Sequence, residues 1–410
     1  MDRFANGDWL DRSVLRIVAG SLGAISLGLI GYTLATRTGT LDRWGRPIGT
    51  DFSLIWSAGR MALAGHAADV YDWAAHFAAQ KATHGGAAVG FAGWHYPPPF
   101  LLVAAGLATL PYLPALVVWQ GATLGAALAV ALRICPGRDT LLAALAFPAV
   151  FVCLGHGHNG FLSATLLAGG LLLLERRPIL AGALLGCLVY KPQLALLVPL
   201  ALGVGRHWRA LGGAANSAAL LFVLSIVCFG WEPWFAFRVT LELTRRVVVE
   251  DGGTGWYKIV SAFSFVRMSG GSVGAAYAVQ GVVAGAVAAG VAWLWWSGAS
   301  LPLRAASLLV GALLATPYVL DYDTVLLGPA LAFLAAHGLR HGFLRWEKTA
   351  MAFAWFVPLA ARHLAFFAGL PGTFLAMAWL FGLVLRRAVA DRRKESAEPA
   401  AAIRSAASSR

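Results

Sequence analysis

A few short polar groups interrupt an otherwise apolar chain, and their residue types are those of acid–base and anion chemistry. Asp51 stands in Thr50-Asp51-Phe52, just after the first hydrophobic run. A carboxylate there can take a proton from an attacking hydroxyl, or it can cap the helix that follows Thr50. His156-Gly157-His158-Asn159 and Tyr190-Lys191-Pro192-Gln193 supply hydrogen-bonding groups and a cation, the means of holding an anion. Asp321-Tyr322-Asp323 has the spacing of a divalent-ion motif, although either aspartate can equally cap the next helix. His95-Tyr96, Tyr257-Lys258 and Arg267 complete the set. Plainer uses exist: Lys191 can snorkel, Pro192 can end a helix, and the two histidines show no third ligand for zinc. The sequence has no Gly-rich phosphate loop after a strand and no Ser-x-x-Lys or Gly-x-Ser-x-Gly nucleophile.

The elements that carry these groups are set by composition. Of 410 residues, 59% are hydrophobic and 12% charged, and the mean hydropathy is +0.70. A soluble surface needs about twice that charge density, so the expected fold class is an all-α polytopic membrane protein. The net charge of +13 would suggest nucleic acid in a soluble chain. Here the lysines and arginines gather in short loops between apolar runs, the pattern of cytoplasmic retention, and no nucleic-acid partner is expected. The four cysteines lie in or beside apolar runs without a CxxC pair and are expected to be buried free thiols. Residues 19–36 are long enough to span and lack a cleavage pattern, so they are expected to form a retained first helix.

Apolar runs lie near residues 14–35, 97–111, 114–132, 139–154, 160–175, 179–190, 194–205, 210–230, 274–297, 302–316, 320–337, 347–364 and 370–388. The basic loops fall on one side if 97–111 stays at the outer interface and 231–273 stays outside. The expectation is then a bundle of about twelve transmembrane helices with both termini cytoplasmic. Residues 1–388 form one membrane domain. Its large first outer loop, 36–113, is expected to carry amphipathic helices near Phe52–Ala64 and Trp73–Thr83 that lie along the bilayer surface. Tryptophans 44, 56, 73, 94, 231, 234 and 256 suit that interface, and 389–410 reads as a disordered basic cytoplasmic tail. In this threading every unusual polar group meets the outer leaflet, and ionisable residues gathered on one side point to a shared cavity.

Together the motifs resemble glycosyltransferase family 87. The resemblance runs through Asp51-Phe52, Trp56, Gly65, Val70-Tyr71-Asp72, Tyr96-Pro97-Pro98, Gly155-His156, Asn159-Gly160, Lys191-Pro192 and Tyr322-Asp323, in consistent order over residues 50–325. It implies a GT-C-type bundle in the bacterial inner membrane with a periplasmic site. It also implies a polyprenyl-phosphate donor carrying one hexose, mannose in many relatives, and a glycolipid or glycan acceptor. It further implies an inverting transfer with no cofactor and no obligatory metal. Asp51 matches the residue taken as general base, and His156 stands where many relatives carry glutamine.

The residue chemistry agrees with that implication. A hydroxyl attacking an anomeric carbon must lose its proton, and Asp51 is freer than Asp42, which has Arg43 beside it. A lipid phosphate leaving group calls for cations and donors. Lys191, His156, Asn159, Lys258, Arg267 and Tyr96 are the candidates, with Lys191 first. Asp321, Tyr322, Asp323, His158 and Gln193 are candidates for the acceptor or sugar. A transporter or flippase of lipid-linked sugars would need a similar cavity. Polar groups at one face and the lack of an internal repeat favour the enzyme.

Overall fold

The computed structural model describes residues 2–408. Among these the chain is helical, and its extended pairings are the isolated bridges Thr38–Leu41, Leu41–Pro47 and Ile259–Leu320. Along the chain, α1 (Asp2–Asn6) and α2 (Arg12–Ala35) lead into α3 (Thr50–Leu63), α4 (Trp73–Thr83) and α5 (Pro99–Leu107). Next come α6 (Tyr112–Ile134), α7 (Arg138–Leu145), α8 (Pro148–His156), α9 (Gly160–Leu173) and α10 (Pro178–Gly186), which a tighter turn extends to Tyr190. Then follow α11 (Pro192–Ala195), α12 (Val198–Val204), α13 (Trp208–Phe229), α14 (Glu232–Thr244), α15 (Ala262–Met268) and α16 (Val273–Trp296). The chain closes with α17 (Leu301–Leu314), α18 (Leu327–His341), α19 (Glu347–Phe356), α20 (Ala361–Ala368) and α21 (Gly372–Ser408).

Among the described residues, six helical stretches are long and apolar enough to cross a bilayer: α2, α6, α13, α16, Asp321–His341 and Gly372–Lys394. Two further pairs are bent, α7 with α8 by 48° and Glu347–Leu359 with α20 by 70°. Each bend sits at or next to a proline, Pro148 and Pro358, which removes a ladder donor and fixes the break. The shorter apolar pieces Gly160–Leu173, Pro178–Tyr190, Pro192–Val204 and Leu301–Leu314 are too short to span alone without thinning or tilt. Helices α2 and α13 are apolar yet bury few of their residues, as a helix with a lipid-facing side does.

The helix bundle has two chemically different ends. Helix α9 begins beside Asn159 and ends where Glu175 meets Arg304, 2.8 Å away at the start of α17. Arg304 also reaches His207 at 3.2 Å. Arg16 pairs with Asp139 at 2.7 Å at the start of α7, whereas the α7–α8 pair finishes at His156. The basic loops therefore share one end of the bundle, and the motif residues of α8, α9 and the 319–323 turn share the other.

Several details depart from the sequence reading. Helix α3 does not lie free along a surface: Phe52, Ser53, Leu54, Ile55, Ser57 and Ala58 are buried, because α4 and α5 pack over it. Trp94 is no interface tryptophan but is fully buried, stacked on Phe100 with ring centres 5.8 Å apart. Among the cysteines, Cys135 and Cys153 are buried free thiols, whereas Cys228 is exposed on α13. The stretch expected as a tail, 389–410, continues α21 as far as Ser408, with Pro399 inside it. Residues 409–410 lie outside the described residues. An apolar cavity of about 1410 Å³ opens between α2, α6, α18 and α19, walled by Leu15, Leu124, Phe161, Val325 and Trp355.

Candidate active site

The site is assembled from helix ends, where backbone groups and side chains turn out of the apolar bundle. Asp51 occupies the first turn of α3, but Gly49, not Asp51, is the N-cap, and no side chain caps this end. The carboxylate is thus not spent on its own helix, although the helix dipole favours its charge there. Gly49 has φ 72°, a conformation that glycine adopts without strain. It faces Gly157, φ 64°, in the turn between α8 and α9, and a Cβ placed on Gly157 would come within 3.2 Å of the Gly49 Cα and 2.7 Å of the Phe52 Cβ. Two glycines let the turn before Asp51 and the turn after His156 touch. Tyr112 holds the first of these turns, donating to the Ile48 carbonyl at 2.8 Å.

A continuous chain of side chains runs from Asp51 across the site. His156 Nδ1 lies 2.8 Å from Thr50 Oγ1 and 3.5 Å from Asp51 Oδ1. Its Nε2 lies 3.2 Å from an Arg362 Nη2. Arginine can only donate, so Nε2 accepts and Nδ1 carries the proton that points toward Thr50 and Asp51. Arg362, on α20, is gripped by Asp321, its Nε donating to Oδ2 at 2.6 Å. Nothing in the sequence reading singled out Arg362. It lies within the apolar run 347–364, where an arginine beside a proline-induced break was the signal available.

A second cluster lies deeper. Lys191, 4% exposed, donates to Asp323 Oδ1 at 2.5 Å and to Asn159 Oδ1 at 3.1 Å. The tight turn that ends in Tyr190 presents Lys191, and Tyr190 is itself pinned to Ser163 at 2.7 Å. Tyr322 lies between the clusters: His158 stacks on its ring at 3.6 Å, His156 meets its edge at 5.6 Å, and Lys191 lies 5.5 Å from its centre. His158 Nε2 also meets the Tyr96 hydroxyl at 3.0 Å. Burial, then the charge of Lys191, pushes His158 well below its usual pKa, so it acts as a neutral ring. Burial, then the Asp51 charge, holds Tyr96 well above the usual tyrosine range, so it keeps its proton. Buried polar atoms without a protein partner collect here: His158 Nδ1, Asn159 Nδ2 and Asp321 Oδ1. Such atoms are costly unless something else binds them.

Of the residues expected to act together, Asp51, His156, His158, Asn159, Lys191, Tyr96, Asp321, Tyr322 and Asp323 are brought into this one network. The two aspartates of the Asp-x-Asp motif hold different bases instead of converging on one point. Arg267 is occupied elsewhere, donating to the carbonyls of Gly271 at 2.7 Å and Glu250 at 3.2 Å with its guanidinium over Trp256. Lys258 lies over its neighbour Tyr257, 5.7 Å from the ring centre. Gln193 is half-buried on α11 and, among the described residues, hydrogen-bonds none of the network. The later loop still supports the site: Val260 donates to the Val319 carbonyl at 2.9 Å, and Tyr257 packs on Phe366 of α20.

The sequence pattern of glycosyltransferase family 87 matches residues 94–317, more than half of the chain. The chain belongs to glycosyltransferase family 87. It is accordingly a membrane glycosyltransferase, with a sugar donor and an acceptor as its substrates. Searches among curated proteins and among solved structures gave no match. The part matched to family 87 contains Tyr96, His156, His158, Asn159 and Lys191. Asp51, the Asp321–Asp323 turn and Arg362 lie outside the matched region and join the site through the fold.

Proposed function

We propose that this family 87 glycosyltransferase moves a hexose, mannose in the reading that the resemblance favours, from a polyprenyl-phosphate donor to a glycolipid or glycan acceptor. The site faces the periplasm across the inner membrane, and Asp51 is the general base. One observation carries the assignment of the base. Among the described residues, Asp321 is paired with Arg362 and Asp323 with Lys191, and Asp51 is the carboxylate of this site with no lysine or arginine partner. Its oxygens are partly exposed, the side chain being 19% accessible.

The acceptor hydroxyl attacks the anomeric carbon while its proton passes to Asp51, and the bond from that carbon to the phosphate oxygen breaks with its electron pair on the phosphate. A direct displacement inverts the anomeric configuration, and the other two carboxylates, each held by a base, are not placed as nucleophiles. The apolar cavity beside α9 and α18 supports a lipid-linked donor. Phe161 and Val325 in its wall each lie two residues along the chain from Asn159 and Asp323, so one part of the cavity approaches the site, while Arg12, Arg16, Arg138 and Lys348 line it toward the basic end of the bundle. No step of this reading uses a cofactor or metal ion. Family membership favours transfer over transport of the lipid-linked sugar.

The test is sugar transfer by the purified protein in lipid vesicles given a panel of polyprenyl-phosphate sugars and an acceptor lipid extract. Transfer that is lost in a folded Asp51→Asn variant supports both donor class and base. Transfer that persists in Asp51→Asn moves the base elsewhere, and no transfer from any polyprenyl-phosphate sugar removes the donor class.

A further inference from the structure

The cation that meets the leaving phosphate can be chosen by asking which basic group of the site still has hydrogens to give. Lys191 has little to give: Asp323 and Asn159 accept two of its three hydrogens, the Tyr322 ring lies 5.5 Å from it, and at 4% exposure the third is out of reach of a ligand at the surface of the site. Arg267 gives its Nη1 and Nη2 to loop carbonyls. Lys258 has hydrogens free among the described residues, but its contact is the ring of Tyr257, and it bonds to none of Asp51, His156, Asp321 or Asp323. Arg362 is different. Asp321 and His156 take its Nε and Nη2 edge, while Nη1 has no partner among the described residues and is not among the buried polar atoms. About a third of the side chain, 34%, is accessible.

We infer that Arg362 is the group that receives the leaving lipid phosphate, which rests on the transfer reading above. The guanidinium of Arg362 lies one imidazole ring away from Asp51, with His156 between its Nη2 and the carboxylate. A base and an anion-binding group on either side of one imidazole suit a displacement in which nucleophile and leaving group lie on opposite faces of one carbon. Asp321 fixes the plane of the guanidinium, so the remaining edge is presented without reorganisation at the moment the charge develops. When the bond to the anomeric carbon breaks, the phosphate goes from one negative charge to two, and Arg362 meets the second. The acceptor proton leaves on Asp51, so charge and protons balance without a further reactant.

The test separates anion binding from turnover. The full chain in detergent is titrated with a short-chain prenyl phosphate and, in parallel, with the prenol of the same chain length, reading thermal stabilisation; transfer is measured on the same preparations. Wild type is expected to prefer the phosphate. Arg362→Gln should bind prenyl phosphate about 10- to 100-fold more weakly while binding the prenol unchanged. Arg362→Lys keeps the charge without the planar fork and should fall between the two, which also covers the case where Arg362→Gln does not fold. Asp51→Asn should keep the phosphate preference and lose transfer. An undiminished phosphate preference in both arginine variants overturns the assignment while leaving the transfer reading intact. A wild type that cannot tell the phosphate from the prenol overturns the donor class and this assignment together.

Discussion

Lys191 Nζ and Asp323 Oδ1 stand 2.5 Å apart, and both side chains are almost fully buried. Removing one partner leaves the other as an uncompensated buried charge, which costs about 3–5 kcal/mol. Lys191→Met alone and Asp323→Leu alone should each lower the thermal midpoint of the detergent-solubilised protein sharply, and the double variant should recover most of the loss. Equal midpoints for the single and double variants would show that the pair is not coupled.

Asp51→Asn should behave in the opposite way. The side chain caps nothing and pairs with no cation, so its loss removes only a dipole interaction of about 0.3–1 kcal/mol. Transfer, by contrast, should fall by about 10²- to 10⁴-fold. The prediction is checked by measuring midpoint and turnover on one preparation; a variant that loses both together would mark Asp51 as structural.

Adding a methyl group to Gly157 tests the contact between the two turns. Gly157→Ala places a Cβ 2.7 Å from the Phe52 Cβ at a φ of 64°, and strain of this kind costs on the order of 1–3 kcal/mol. Because the displaced turn carries His156 and His158, transfer should drop more than stability does. Gly155→Ala, where the added Cβ meets open space, is the control. Equal behaviour of the two variants counts against the contact.

Acid should destabilise the first loop. Burial first, and the neighbouring His76 second, push His95 down to about 4; burial pushes His76 to about 4 as well. Both are neutral in folded and unfolded chains above the ordinary value of about 6.5, so they have no effect there. As pH falls below that, the unfolded chain binds protons that the folded chain refuses, and stability declines until about 4. Each histidine contributes up to about 1.4 kcal/mol per pH unit in this window. His95→Gln should flatten the fall of thermal midpoint between pH 6 and 4; an unchanged slope would remove His95 from the account.

The sequence made the helices legible because each apolar run keeps one composition over its length, and every such run is helical. The members of the site were legible where an ionisable residue broke a run at its edge, as Asp51, His156, Lys191 and Asp321 do. Their pairing was not. Lys191 has the right type and motif for a phosphate ligand, yet a carboxylate 132 residues away in the chain occupies it. Arg267 looks identical in sequence to a free cation and is bound to two carbonyls of its own loop. Arg362 was hidden for the converse reason: it lies inside an apolar run, where the bend that brings it to Asp321 and His156 is a three-dimensional event.

The touching turns at Gly49 and Gly157 divide the site into a part that can change and a part that cannot. The spacing of Asp51 from His156 is set where the main chain at Gly49 approaches the main chain at Gly157, so exchanges of side chains away from this contact do not widen it. The wall that Tyr96 and Tyr322 make is built from side chains. Altered substrate range, by natural drift or by engineering, should therefore arise on that wall while the proton-accepting side keeps its dimensions.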